Sequence, residues 1–269
     1  ISKTFGSTLA NSQIHLGVKK GEVHALLGEN GAGKSTLMKI LFGLYQADKG
    51  GEIFINEKKI HNPSPRISTQ LGLGMVHQHF MLIRPLTILQ NVILGAEPTT
   101  SFGRIDFKKA HQDVLNLSHQ FQFNLHPDQV VESLTVGMQQ RVEILKVLYR
   151  KAEILIFDEP TAVLTPKEIL EFFGILENLK QEGKTIILIT HKLNEIKAVA
   201  SRCSILRKGQ LIETVDVATT SEGELALKMV GRPVERVINR HTGRTKDHYL
   251  TRSPSDLPNL QFSNTPNSH

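Results

Sequence analysis

The chain has 269 residues, 39% of them hydrophobic, and a formal net charge of +6 at pH 7. A chain of this length can bury a sizeable core, and no apolar run approaches the roughly 18 residues that a membrane-spanning helix needs. Half of the excess positive charge lies after residue 231, where six Lys and Arg residues accompany three acids. In residues 1–231 the positive and negative charges are nearly balanced, which does not favour a nucleic-acid partner. The single cysteine, Cys203, excludes an internal disulfide, and we expect it to be buried in a strand.

The first predicted elements are two short strands within residues 1–25, joined by a turn at Gly6 and Ser7. Phe5 is the one aromatic residue near the front of the chain. It either stacks on a flat ligand such as adenine or packs as an ordinary aromatic residue, and the sequence leaves both options open.

The most informative stretch is a glycine-rich loop between a strand and a helix. Glu22–Leu27 is a short apolar strand, and after the loop Leu37, Ile40, Leu41 and Leu44 recur with helical spacing. The loop fits G-x-x-x-x-G-K-[ST], in which glycines let backbone N–H groups surround phosphate oxygens and the helix N-terminus adds its positive dipole. Lys34 then reaches the β- and γ-phosphates, and Ser35 contacts Mg²⁺. The predicted nucleotide-binding residues are Gly28, Glu29, Asn30, Gly31, Ala32, Gly33, Lys34, Ser35 and Thr36.

The middle of the chain predicts a strand at residues 52–56, a strand at residues 74–80 and then a helical layer from Thr87 to about Leu148. His77 and His79 flank Gln78 on the second strand and point the same way. Without a nearby third ligand, this pair does not favour a metal site. Thr135 is expected to cap the last helix of the layer at its N-terminus.

The second half supplies isolated polar residues at strand ends. An apolar strand, Ile154–Phe157, leads into Asp158 and Glu159, at the edge where ligands bind in open α/β sheets. The next strand, residues 184–190, ends before His191, although a lone histidine at a strand end is more often structural than catalytic. Capping boxes at Thr165 and Ser221 predict two further helices, the last ending at Gly231, and a Lys208-Gly209 turn predicts a hairpin between them. The polar segment 232–269 is expected to be disordered.

In this order and spacing, the motifs resemble the ATPase cassette of ABC transporters over residues 1–231. The resemblance implies an α/β, P-loop NTPase (RecA-like) core with an N-terminal antiparallel β subdomain and a helical subdomain inserted at about residues 86–149. The sequences of residues 135–140 and 159–165 resemble those of the family branch that energises uptake of simple sugars and nucleosides. The matching motifs are Gly28–Thr36 (Walker A), Gln78 (Q-loop), Leu134–Gln140 (signature), Ile154–Glu159 (Walker B) and His191 (switch histidine).

The same resemblance implies that the chain binds ATP with Mg²⁺ and hydrolyses it. Lys34 would contact the phosphates, while Ser35 and, through water, Asp158 would hold the metal. Glu159 would act as general base on the attacking water, and His191 would bridge that base and the γ-phosphate.

The remaining implied contacts are with the metal, the α-phosphate, the adenine and a second cassette. Gln78 would sense the metal and the water while linking the site to a permease. Thr36 would touch the α-phosphate, and Phe5 would stack on adenine. The signature residues expected to contact the nucleotide of an opposing cassette are Thr135, Gly137 and Gln139.

The implied partners are a second cassette, identical or separate, integral membrane permease subunits and, indirectly, an extracytoplasmic solute-binding protein, but no nucleic acid. The implied location is peripheral, on the cytoplasmic face of the cell membrane. One alternative is a soluble ABC-type ATPase acting on DNA or on ribosomes. The lack of sustained heptads counts against the DNA-acting kind, and the lack of basic surfaces distributed through residues 1–231 counts against the ribosome-acting kind. The other alternative is a truncated inactive cassette.

Three features depart from the family pattern. The signature has Thr135, Val136 and Met138 where the wider family often has Ser, Gly and Gln, and function is expected to survive this. Thr165 replaces the usual D-loop aspartate, so we expect asymmetric communication between two sites. The sequence begins without methionine and holds one cassette where the branch commonly carries two, so we expect a trimmed, truncated or split product.

Overall fold

The computed structural model describes residues 1–61 and 63–231; the tail predicted to be disordered, 232–269, lies outside them. Within the described residues the strands are β1 (Lys3–Phe5), β2 (Thr8–Asn11), β3 (Val23–Leu27), β4 (Phe54–Ile55), β5 (Lys58–Lys59), β6 (Leu73–Val76), β7 (Ile154–Asp158), β8 (Thr185–Thr190), β9 (Arg202–Arg207) and β10 (Gln210–Asp216). The helices are α1 (Lys34–Leu41), α2 (Pro65–Gln70), α3 (Ile88–Ile93), α4 (Phe107–Gln120), α5 (Val136–Tyr149), α6 (Pro166–Gln181), α7 (Leu193–Val199) and α8 (Glu222–Val230). None of these helices is both long enough and apolar enough to cross a bilayer.

A six-stranded sheet in the order β10-β9-β3-β8-β7-β6 forms the centre of the fold. All its strand pairs are parallel except the β9–β10 hairpin, and every residue of β3 and β8 is buried. Continuous apolar strands such as these are typical of parallel sheets covered by helices on both faces. Separate antiparallel pairs join β1 to β2 and β4 to β5. The predicted α/β class and N-terminal antiparallel strands are therefore confirmed.

The register of the parallel strands brings their carboxyl ends to one edge. The paired residues near that edge are Leu27 with Thr190, Asp158 with Ile189 and Val76 with Phe157. The chain therefore leaves β3, β7, β8 and β6 close to the same line. The segments that follow these strands carry the motifs found in the sequence.

Helix α1 is shorter than the apolar spacing predicted. It ends at Leu41, and Leu44, expected on its buried face, lies beyond the helix and is 45% exposed. Gly43 has a φ of +83°, and a Cβ there would lie 2.4 Å from the backbone nitrogen of Ser64. A left-handed glycine just past the last turn ends a helix because it turns the chain away from the helix axis.

The predicted strand at residues 74–80 is also wrong in part, because β6 ends at Val76. His77, Gln78 and His79 lie in the loop that follows, so the two histidines do not share a strand face. The strand expected at residues 52–56 shortens to Phe54–Ile55, and the helical layer is interrupted between α3 and α4 and again between α4 and α5.

The predicted helix caps are confirmed. Thr135 accepts a hydrogen bond from the Met138 N–H, and Thr165 and Ser221 both form complete capping boxes. Gly231 ends α8 in the left-handed conformation. Such caps satisfy N–H and C=O groups that the helix itself leaves unpaired.

Cys203 is buried in β9, as predicted, and burial raises the pKa of its thiol to about 12. The helices α3, α4 and α5, which lie between β6 and β7 in the chain, share one apolar cluster with the sheet. Members of this cluster from helices and strands include Ile88, Val92, Val114, Ile144, Leu145, Leu155, Phe157 and Leu188.

A buried polar network joins the edge of the sheet to its centre. The fully buried His24 contacts the Glu22 carboxylate through Nδ1 (3.0 Å) and the Ser204 hydroxyl through Nε2 (2.8 Å). Ser204 in turn lies 2.7 Å from the Thr214 hydroxyl. Burial lowers the pKa of His24 below its ordinary value of 6.5, although the Glu22 contact raises it in part.

This network makes stability fall on acidification. Because the pKa of His24 is lower in the folded chain, the unfolded chain binds more protons below about pH 6.5, and the free energy of unfolding falls there by at most about 1.4 kcal/mol per pH unit for this group. We expect His24→Gln, which keeps a neutral donor and acceptor, to show a shallower fall between pH 7.5 and 5.5. Urea titrations at several pH values measure this. The exposed His119→Gln variant should keep the original slope; equal slopes for all three proteins would contradict the assignment.

Candidate functional site

The glycine-rich loop lies between β3 and α1, as predicted. Gly31 and Gly33 have φ values of +82° and +98°. A Cβ on Gly33 would lie 2.4 Å from the Ala10 carbonyl oxygen and 2.5 Å from Asn11 Nδ2, and one on Gly28 would lie 2.4 Å from the Leu206 carbonyl oxygen. The loop therefore depends on glycine for both its backbone conformation and its close approach to β2 and β9.

Lys34 lies across this loop. Its side chain is buried, and Nζ donates to the carbonyl oxygens of Gly28 (2.7 Å) and Glu29 (3.0 Å). Burial lowers the pKa of Lys34, and the carboxylates of Glu159 and Asp158 partly offset this effect. The ammonium group is thus held against the loop that is predicted to bind phosphates.

Ser35 and Asp158 form the metal-binding part of the predicted site. The Ser35 hydroxyl donates to Asp158 Oδ1 at 2.9 Å, which joins the start of α1 to the end of β7. Burial raises the pKa of Asp158, while the hydrogen bond from Ser35 lowers it. The described residues contain no group of three His, Cys, Asp or Glu side chains that could hold a metal. Mg²⁺ at a nucleotide needs only one or two protein oxygens besides phosphates and water, so this pair fits it.

Two other predicted residues, His191 and Gln78, meet at the carboxylate of Glu159. Its Oε1 lies 3.2 Å from His191 Nδ1, and its Oε2 lies 3.5 Å from Gln78 Nε2. Glu159 also has a φ of +46°, and its N–H donates to the Ile189 carbonyl oxygen at 3.0 Å. A left-handed conformation at a non-glycine residue costs roughly 1–3 kcal/mol and persists where neighbouring contacts hold it.

The signature residues lie at the start of α5, where Thr135 is exposed and Gly137 is buried. Among the described residues, no hydrogen bond or ion pair joins Thr135, Gly137 or Gln139 to the glycine-rich loop. Instead the Gly137 N–H donates to Glu168 Oε1 at 3.0 Å, and Gln139 Nε2 donates to the Leu134 carbonyl oxygen at 3.0 Å. Within the described residues, the signature segment is thus bonded to α6 and within itself rather than to the phosphate loop.

Phe5 is 42% exposed on the β1–β2 hairpin. Its ring packs edge-on against Tyr45, with centroids 5.3 Å apart, and Lys3 Nζ lies 5.2 Å from the ring centroid. Its face is thus partly accessible, and adenine stacking stays a prediction.

Sequence analysis missed three polar residues that organise the site. Gln140 Nε2 donates to the Pro160 carbonyl oxygen at 2.9 Å, Glu168 bonds to Gly137, and Glu195 bonds to threonines that follow or end β7 and β8. Gln140 lies in the signature and Glu168 in a predicted capping box, so the sequence marked their positions but not their partners. No sequence signal marked Glu195.

Comparison with known proteins identifies the family. The ABC transporter family profile matches residues 11–162, more than half of the sequence, so this chain belongs to that family.

The chain is 51% identical over 250 residues to the nucleoside import ATP-binding protein NupA of Lactococcus lactis subsp. cremoris (strain MG1363), covering 93% of this chain and 49% of that protein. It is 57% identical over 234 residues to the guanosine import ATP-binding protein NupO of Bacillus subtilis (strain 168), covering 87% and 46%. The chain spans about half the length of the curated relatives it matches. The predicted resemblance to the nucleoside and sugar branch is confirmed.

Two solved structures show the same fold. One is the ADP conformation of an ATP-binding cassette of an ABC transporter, with a TM-score of 0.73 and 25% identity over 86% of this chain and 94% of that one. The other is the dimeric post-hydrolysis state of an ATP-binding cassette bound to ADP and Pi, with a TM-score of 0.67 and 25% identity over 80% and 95%. The predicted cassette fold is therefore confirmed.

Glycine-to-alanine changes inside and outside the glycine-rich loop should have opposite effects on stability. Gly33→Ala should lower the free energy of unfolding by roughly 1–3 kcal/mol, because φ is positive and Cβ meets backbone there. It should also weaken ATP binding by about tenfold or more, which corresponds to about 1.4 kcal/mol. Gly174→Ala, inside α6 with open space around its Cβ, should instead raise stability by roughly 0.5–1 kcal/mol.

Urea unfolding and titration with a fluorescent ATP analogue measure these effects. Equal behaviour of the two variants would contradict the role assigned to the loop.

Proposed function

We propose that this chain is the ATP-hydrolysing subunit of an ABC importer that takes up a nucleoside or a simple sugar. The observation that carries the proposal is the convergence of Gln78 and His191 on Glu159 at the sheet edge that also holds Lys34 and Asp158. The names of the similar proteins, which include nucleoside and guanosine import ATP-binding proteins, support the importer role and the solute class.

In this proposal the glycine-rich loop binds the phosphates of ATP and Lys34 exchanges its two carbonyl acceptors for phosphate oxygens. Ser35 and, through water, Asp158 would hold Mg²⁺, with Gln78 nearby. When bound, Mg²⁺ neutralises charge on the β- and γ-phosphate oxygens.

Glu159 accepts a proton from the water that attacks the γ-phosphorus, while the bond from that phosphorus to the bridging oxygen breaks and ADP leaves. His191 orients Glu159 through the 3.2 Å contact and reaches toward the γ-phosphate. Thr36 contacts the α-phosphate, and Phe5 supports the adenine.

Hydrolysis in this proposal needs a second cassette. The N-terminus of α5, with Thr135, Gly137 and Gln139, faces the nucleotide of the opposing cassette, where the helix dipole favours negative charge. The dimeric solved structure of a cassette bound to ADP and Pi supports the pairing of two cassettes. On binding, the γ-phosphate takes the place of the Glu168 carboxylate at the Gly137 N–H.

The cassette comprises residues 1–231 in this proposal. Its partners are an identical or separate cassette, membrane permease subunits and, indirectly, a solute-binding protein. It sits peripherally on the cytoplasmic face of the membrane, where closing and opening of the cassette pair switches the permease between states.

Removing the general base tests the proposal. Glu159→Gln keeps the size of the side chain but cannot accept the proton, so ATP turnover should fall by about 10²–10⁴-fold. Because ATP still binds, the variant should sediment as a dimer with ATP and Mg²⁺ and as a monomer without nucleotide. Steady-state phosphate release and sedimentation velocity measure these outcomes.

The matched control is Glu177→Gln. Glu177 is exposed and lies toward the C-terminal end of α6, away from the capping box at its N-terminus, so this variant should retain turnover. Unchanged turnover in Glu159→Gln would refute the assigned base. A monomer that persists with ATP would show that this cassette does not pair with itself and needs a different partner half.

A further inference from the structure

A buried carboxylate that the proposed chemistry does not use lies between two of the loops that carry it. Glu195 is on α7, and its residue is only 1% exposed. Its two oxygens contact residues that follow β7 and end β8. A buried carboxylate is unfavourable unless it is well bonded, so its partners define its role.

Each oxygen of Glu195 accepts a hydrogen bond from one threonine. Oε2 accepts from the Thr190 hydroxyl at 2.7 Å, and Oε1 accepts from the Thr161 hydroxyl and lies 3.2 Å from Lys192 Nζ. The Thr190 hydroxyl also accepts from the Lys192 N–H at 3.0 Å, and the Thr161 hydroxyl accepts from Lys192 Nζ at 3.1 Å. Both hydroxyl protons are therefore directed at Glu195, which suits a carboxylate with two acceptors.

These partners bracket the two residues that meet at the site. Thr161 follows Glu159 by two residues, and Thr190 and Lys192 flank His191 directly. The left-handed turn at Glu159 is held at three successive residues: the Glu159 N–H bonds to Ile189, the Pro160 carbonyl to Gln140, and the Thr161 hydroxyl to Glu195. Of the two side chains among these anchors, Gln140 and Glu195, it is Glu195 that also bonds the strand end before His191, where the Ile189 carbonyl already holds the Glu159 N–H.

We propose that Glu195 is a positioning residue that fixes the turn carrying Glu159 against the loop carrying His191. It acts through Thr161 and Thr190 and touches neither side chain of the pair. This inference rests on the proposed ATP hydrolysis. Since the phosphate loop is anchored independently, by Lys34 and the Ser35–Asp158 bond, loss of Glu195 should impair turnover rather than ATP binding.

The alternative is that Glu195 forms a buried ion pair that only stabilises the fold. The chain contains a comparable buried carboxylate away from the site. Glu22 is also buried (8% exposed), contacts His24, and pairs with Arg202 at 3.3 Å. It precedes β3 and lies at the opposite end of that strand from the phosphate loop. Glu22→Gln is therefore the control for loss of a buried carboxylate away from the site.

The test compares steady-state ATP turnover by full-length wild type, Glu195→Gln and Glu22→Gln. The amide keeps the shape but loses one acceptor and the charge facing Lys192. We expect kcat of Glu195→Gln to fall by about 10–100-fold, as small misplacements of reacting groups do, with KM for ATP within about threefold. Glu22→Gln should lose thermal stability with kcat retained.

Two further variants separate positioning from folding. Thr161→Val, which removes one hydroxyl without changing shape, should give a smaller fall in kcat, and it decides the question if Glu195→Gln does not fold. In a His191→Ala background, Glu195→Gln should have less effect than in wild type, because coupled residues are not additive.

An unchanged kcat in folded Glu195→Gln would overturn the inference. If that variant does not fold, an unchanged kcat in Thr161→Val would do the same. In either case, ATP turnover by wild type would still support the proposed function. An equal fall of kcat in Glu22→Gln would reduce Glu195 to a stabilising role. Absence of ATP turnover in a wild-type chain that does form a dimer with ATP and Mg²⁺ would refute the proposed function and this inference together.

Discussion

The register of four parallel strands is the constraint on which the site depends. Since Leu27 pairs with Thr190 and Asp158 pairs with Ile189, the chain emerges from β3, β8 and β7 at one level. A slip of one residue would turn each side chain to the other face of the sheet and displace it by about 3.3 Å along the strand. The sheet opposes such a slip at β3 and β8, because both faces of these strands are buried and a slip would draw flanking polar residues into the core. The core thus sets the relative positions of Glu159 and His191, and it contacts Glu159 through the Ile189 carbonyl.

Burial at the same edge gives the site its charge properties. It lowers the pKa of Lys34 and raises that of Asp158, so the surroundings disfavour the charged form of each group. Each charge is supported by specific bonds instead: Lys34 by two backbone carbonyl oxygens and Asp158 by the Ser35 hydroxyl. Electrostatic interactions are stronger in such partly desolvated surroundings than in water. A phosphate that replaces the carbonyl oxygens at Lys34 therefore gains an interaction that an exposed lysine would not provide.

The parts that the sequence predicted correctly are those whose signals are local. The loop at Gly28–Thr36, the caps at Thr135 and Thr165, and the apolar strands each depend on a few neighbouring residues. The end of β6 at Val76 was missed because apolar character alone does not show where a strand leaves a sheet. Leu44 was misplaced because its apolar spacing continues past Gly43, whose left-handed backbone conformation ends the helix. Glu195 was invisible because its partners lie in other elements.

The helix α5 connects the signature segment to the turn that carries Glu159. At its first turn the Gly137 N–H bonds to Glu168, which also closes the capping box of α6 through Thr165. Less than one turn later Gln140, on the same helix, bonds to the Pro160 carbonyl next to Glu159. Because a helix is stiff over so short a distance, a displacement of its N-terminus moves both bonds together. The segment proposed to meet a second cassette and the turn that carries the proposed base are therefore joined through α5, so in the proposed pair a displacement of the α5 N-terminus would reach the turn at Glu159.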